Sequence, residues 1–188
     1  MEICEALDLR DVVVVGHSVS AMIAVIAAVQ APDRISGLVL VGPSPRYVDE
    51  GEYVGGFTRE DIDELLVSVG GNFTRWAHDV APVLMGPDDP QLGAELAEVF
   101  CRTDPDIAAH FAEVTFTSDN RRDLARVGVP TLVVQCRDDP IAPLPVGEYV
   151  HREVRGSEIV VLDVTGHCPH VSHPDLTVAA LRSFLAGT

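Results

Sequence analysis

The stretch Val12-Val13-Val14-Val15-Gly16-His17-Ser18-Val19-Ser20 constrains this chain more than any other. Four β-branched residues in a row read as a strand buried on both faces. The helix-forming segment Ala21 to Gln30 follows at once. A strand, a tight turn with a serine at its apex, and a helix form the setting of a nucleophile elbow. The turn lifts Ser18 out of the backbone at the C-terminal end of a parallel strand. The next helix aims its N-terminus at the same place, where negative charge develops during acyl transfer. Ser20 stands where the general G-x-S-x-G pattern has its last glycine, and it is small enough for close packing of helix on strand.

The rest of the chain repeats the alternation of strand and helix. Residues 1–45 read as helix, strand (Asp11 to Gly16), helix (Ser18 to Gln30) and strand (Ile35 to Val41), the last ended by Gly42-Pro43. Residues 124–188 read as strand (Val129 to Cys136), helix (Pro145 to Arg152), strand (Glu158 to Val164) and helix (Pro174 to Leu185). Such alternation predicts an α/β fold with a parallel sheet covered on both faces. Residues 46–123 differ in composition, with 17 acidic residues against 6 arginines. Four helix starts are legible there: the Thr58-Arg59-Glu60-Asp61 capping box, Asn72, Asp89-Pro90 and Asp104-Pro105. Four helices between two strands predict a lid subdomain and not a loop.

Catalytic groups on a parallel sheet gather beyond the C-terminal ends of its strands. Asp138-Asp139 follows the strand ending at Cys136, and Gly166-His167 follows the strand ending near Val164. Ser, Asp, His is the chain order of α/β-hydrolase triads. A serine hydroxyl needs a neutral imidazole to take its proton, and the imidazole needs a carboxylate to orient it. The expected roles are Ser18 as nucleophile, His167 as base and then acid, and Asp139 as orienter. Asp138 competes with Asp139; the spacing to Pro143 favours Asp139, leaving Asp138 to face solvent or pair with Arg137. His17 has two open readings, a ligand contact in the substrate pocket or a histidine filling the turn. Trp76 and Phe116 are the expected pocket aromatics of the lid.

The net charge of −16 argues against nucleic acid and anionic membrane surfaces as partners. Cys4, Cys101, Cys136 and Cys168 form no CxxC pair and read as free thiols, with no metal site and no cofactor expected. Glu2, Glu5 and Asp8 leave no basic start for a secretory signal, so a cytoplasmic location is expected.

Several stretches together resemble one family. Gly16 to Ile23, Gly55-Gly56-Phe57, the Asp139 loop and Gly166-His167-Cys168-Pro169-His170-Val171-Ser172-His173-Pro174 are similar to the RsbQ-type α/β hydrolases. These are bacterial stress-response regulators related to the plant strigolactone and karrikin receptors. The resemblance implies an α/β core with a four-helix lid over a small apolar pocket. It implies slow hydrolysis of a small-molecule ester or lactone; the alternatives are a ligand-sensing regulator acting through a PAS-containing protein phosphatase partner with little turnover, and an inactive truncated fragment. The acidic lid residues Asp61, Asp63 and Glu64 are candidates for that contact. Carried over by position, the triad is Ser18, Asp139 and His167, and Val19 supplies an oxyanion-hole N–H. The pocket set is His17, Trp76, Val80, Phe116 and Ile141, with Val80 where relatives can carry an aromatic. The opening Met1 to Leu7 resembles the helix just before the elbow strand in relatives. The expected fold is therefore an α/β-hydrolase fold lacking its N-terminal strands, an N-terminally truncated chain whose first strand is a sheet edge.

Overall fold

The computed structural model describes residues 2–187. A short helix α1 (Glu2–Ala6) leads into β1 (Val12–His17), α2 (Val19–Gln30) and β2 (Ile35–Val41). The lid helices follow: α3 (Arg59–Gly71), α4 (Phe73–Met85), α5 (Pro90–Phe100) and α6 (Pro105–Thr117). The chain then returns through α7 (Arg121–Leu124), β3 (Thr131–Asp138), α8 (Leu144–Glu153), β4 (Glu158–Thr165), α9 (Pro169–Ser172) and α10 (Pro174–Gly187).

The four strands form one parallel sheet in the order β1-β2-β3-β4. Successive residues of β2 point to opposite faces, as strand geometry requires. Leu38 and Leu40 join a core with α2, Leu124 and Val150 of α8. Val39 and Val41 join Leu132, Val134 and Leu162 under Ala180 and Phe184 of α10. Helices on both faces explain why the strands read as unbroken apolar runs. β1 pairs with β2 alone among the described strands, and Val15 is 55% exposed.

The four helix starts expected in the lid all cap as their side chains dictate. Thr58 accepts from the Asp61 N–H while the Asp61 carboxylate accepts from the Thr58 N–H, closing the capping box. Asn72, Asp89 and Asp104 cap α4, α5 and α6. Asp61 closes this box and is itself exposed. Asp63 and Glu64 remain exposed on α3. The one-turn helices α7 and α9 lie where no helix is expected, and β3 runs two residues past Cys136. No helix among the described residues is long and apolar enough to cross a membrane.

Candidate active site

Ser18 sits between β1 and α2 with φ 56° and ψ −125°, a conformation that costs a non-glycine residue energy. The turn is held by the Ser18 N–H, which donates to the Val41 carbonyl at 2.9 Å. The glycine that this turn needs is Gly16: a Cβ there would collide with the Ser20 carbonyl and lie 2.8 Å from the Ala21 Cα. Ser20 itself is exposed, so its replacement of glycine obstructs nothing. Val19 is the first residue of α2, and its N–H belongs to the first turn, where amides have no intrahelical acceptor.

The bulge between Cys136 and Asp138 lets β3 and β4 end side by side, pairing Asp138 with Thr165. The loops carrying Asp139 and His167 therefore emerge together. His167 Nδ1–H donates to Asp139 Oδ2 at 2.8 Å, and the two side chains are 4% and 0% exposed. Asp139 Oδ1 also accepts the N–H groups of Ile141 and Ala142, at 2.8 and 2.9 Å. Together these contacts fix the carboxylate. Asp138 is exposed, and its carboxylate accepts a long hydrogen bond of 3.4 Å from Thr165 Oγ1. Arg137, the partner expected for Asp138 if it did not face solvent, pairs with Asp163 at 2.6 Å instead.

With Nδ1 donating to Asp139, the imidazole presents the lone pair of Nε2. That atom is buried and has no hydrogen-bond partner among the described residues. Ser18, Val19 and His167 line one cavity of about 480 Å³. Trp76, Val80, Phe116 and Ile141, expected to form its wall, line it too. Leu65, Val69, Phe73, Leu84 and Phe100 add to a strongly apolar surface. Trp76 is stacked between Phe73 and Phe100, with ring centroids 5.7 and 5.9 Å away.

His17 does not line the cavity. Its Nε2–H donates to the His167 carbonyl at 2.8 Å, and its ring packs on His167 and His170 with centroids 4.8 and 4.4 Å apart. Burial first, and the neighbouring His167 second, push its pKa down to about 3, so it is neutral. The geometry fits the turn-filling reading of His17 and removes it from the pocket set. Cys136 and Cys168 are buried free thiols, with pKa values raised by burial to about 12 and about 11. Neither is poised as a thiolate.

Three contributors escaped the sequence. Tyr47 is buried and lines the same cavity as Ser18. Gly42, at φ 54°, abuts the hydrogen-bonded His167–Asp139 pair: a Cβ there would stand 3.1 Å from His167 Cε1 and 3.3 Å from Asp139 Oδ2. The Leu84 carbonyl, near the end of α4, accepts the His167 N–H at 2.7 Å. The Gly42-Pro43 dipeptide was a visible signal, but only as a strand terminator. Nothing local marks the other two.

The family described as the Alpha/beta hydrolase family matches residues 2–180. A rice protein (Oryza sativa subsp. japonica) named as a probable esterase is 39% identical over 183 residues, spanning 96% of this chain and 68% of that protein. A strigolactone esterase of Arabidopsis thaliana is 35% identical over 186 residues, spanning 98% and 70%. The solved structure of a hydrolase from Oleispira antarctica superposes with a TM-score of 0.95 at 38% identity, covering 100% of this chain and 69% of that one.

Proposed function

This chain belongs to the alpha/beta hydrolase family, and from that premise we propose that it is a serine hydrolase cleaving a small, largely apolar ester or lactone. The observation that carries the reading is the buried His167–Asp139 pair, whose free Nε2 shares one apolar cavity with Ser18. The esterase names of relatives at 35% and 39% identity support the same reaction class.

In this reading Ser18 Oγ attacks the substrate carbonyl carbon as its proton passes to His167 Nε2. The carbonyl π bond opens to an oxyanion, which the Val19 N–H stabilises at the helix N-terminus. Asp139 holds the imidazolium by Nδ1–H and keeps the ring in place. Collapse of the intermediate breaks the C–O bond, and His167 returns the proton to the leaving alkoxide. A lactone leaves its alkoxide tethered to the acyl group; an ester releases an alcohol. Water then attacks the acyl-serine, again through His167, and releases the acid and Ser18. A cavity of about 480 Å³ walled by aromatic and aliphatic side chains favours a small apolar substrate.

Hydrolysis of a short-chain p-nitrophenyl ester is the test. Ser18→Ala is expected to lower activity by at least about 10³-fold and to abolish labelling by a fluorophosphonate probe. Labelling that persists in Ser18→Ala, or a chain that neither cleaves nor labels, refutes the assignment.

A further inference from the structure

Thr115 lies on α6, one residue before Phe116, and lines the cavity above Ser18. It is 8% exposed, and its Oγ1 is fully buried without a hydrogen-bond partner among the described residues. That is unusual for a helical threonine, which ordinarily bonds the carbonyl four residues back. Thr117 on the same helix does so, donating to the Glu113 carbonyl at 2.7 Å. Thr177 on α10 does so as well, donating to the His173 carbonyl at 3.3 Å. The Thr115 hydroxyl makes no such bond to the Phe111 carbonyl. A buried hydroxyl with no partner destabilises the protein that carries it, whereas a valine of the same shape would not. Leu65, Val69, Phe116 and Ala112 line the same cavity, whose wall is mostly apolar.

We propose that Thr115 is a specificity-determining residue, its hydroxyl donating a hydrogen bond to a second acceptor oxygen of the substrate besides the scissile carbonyl. The inference rests on the serine-hydrolase reading above for its catalytic readout. The favoured substrate is then a small ester or lactone bearing an ether or carbonyl oxygen in an otherwise apolar frame. A site built to bond an oxygen discriminates against the analogue that lacks it, because the buried hydroxyl is again left unpaired. Thr115 sits on the lid and the reacting groups sit on the core, so recognition and chemistry belong to separate elements.

Two esters of equal length test it: p-nitrophenyl 3-methoxypropanoate and p-nitrophenyl pentanoate, which differ by one oxygen in place of a methylene. The ratio of their kcat/KM values is measured in the wild type, Thr115→Val and Thr115→Ser. The ratio is expected to move toward the pentanoate by about 5- to 10-fold in Thr115→Val and to be retained in Thr115→Ser. Thr115→Val is also expected to raise the Tm, by about 2–4 °C, because it removes an unpaired buried hydroxyl. A ratio unchanged within about twofold in Thr115→Val overturns the proposal. A lowered Tm with an unchanged ratio assigns the hydroxyl to packing. Binding gives an arm independent of turnover. Trp76, the chain's single tryptophan, lines the cavity and reports occupancy by fluorescence in Ser18→Ala. There 5-methoxypentan-2-one is expected to bind more tightly than 2-heptanone, and the added Thr115→Val change is expected to erase the difference. If neither ester is cleaved, the hydrolase reading fails while the ketone pair still decides the role of Thr115. Equal affinity of the two ketones with Thr115 intact overturns the proposal in that arm.

Discussion

Asp138 and Asp139 are chemically identical neighbours at the end of β3, and only their surroundings separate them. Asp139 is held by two loop N–H groups and by His167, while Asp138 faces solvent. Asp139→Asn keeps the shape but presents the wrong tautomer of His167 to Ser18, so kcat for ester hydrolysis is expected to fall by about 10³- to 10⁴-fold. Asp138→Asn is expected to stay within about twofold of wild type; equal losses in both variants would count against Asp139 as orienter. His17 makes a different residue-scale prediction, in stability. Its pKa is lowered from 6.5 to about 3, so the unfolded chain takes up the proton first. The contribution of neutral His17 is complete above pH 6.5 and is lost as pH falls toward 3. At about pH 4.5 the loss reaches at most about 2–3 kcal/mol. His17→Gln, which keeps a donor for the His167 carbonyl, is expected to lose less Tm than wild type between about pH 7.5 and 4.5. Parallel losses in the two proteins would show that His17 is not held neutral by the fold. The identity of these residues was plain in the sequence. The direction in which His17 points was not, since both readings place the same ring in the same turn.

At the scale of elements, the seam between lid and core joins α4 to the histidine loop. Leu84 accepts the His167 N–H, and Gly86 caps α4 at φ 83° directly against the Thr165 carbonyl. A methyl group at 86 meets that carbonyl and also forces an L residue into left-handed backbone. Gly86→Ala is therefore expected to cost at least about 2 kcal/mol, and to lower kcat because the His167 loop hangs on the displaced helix end. Gly128→Ala is the control, with nothing within 4 Å of the added Cβ; its Tm is expected to change by less than about 2 °C. Comparable destabilisation in both variants would show that the seam carries no special constraint. The lid helices were legible because each start carries a capping side chain followed by helix-forming residues. The helices α7 and α9, of four residues each, were not legible, because one turn is too short to show a helical period. The seam was equally hidden: Gly86 and Gly166 stand 80 positions apart and acquire meaning only when α4 lands on the β4 end.

At the scale of the whole molecule, charge is the dominant bulk property. The net charge of −16 makes the folded chain repel itself. Two arginines bind the two feet of the lid against this repulsion. Arg46, before the lid, pairs with Asp119 after it at 2.9 Å, and Arg121 reaches back to Glu50. Such exposed pairs contribute little, and salt screens them too. Self-repulsion is therefore expected to dominate, and the Tm is expected to rise as NaCl goes from about 10 to about 300 mM. A fall over that range would mean that the ion pairs at the lid feet outweigh the repulsion. The sequence by itself determined the α/β alternation, the four-helix insertion and the order Ser18, Asp139, His167. Those depend on local periodicity, capping and turn chemistry, which residues near in sequence encode. Only the tertiary structure decided that Asp139 and not Asp138 meets His167, that His17 turns under the histidine loop, and that Tyr47 and Thr115 line the cavity with Ser18. Those are contacts between segments up to 150 residues apart, and packing of sheet against lid is what brings them within bonding distance.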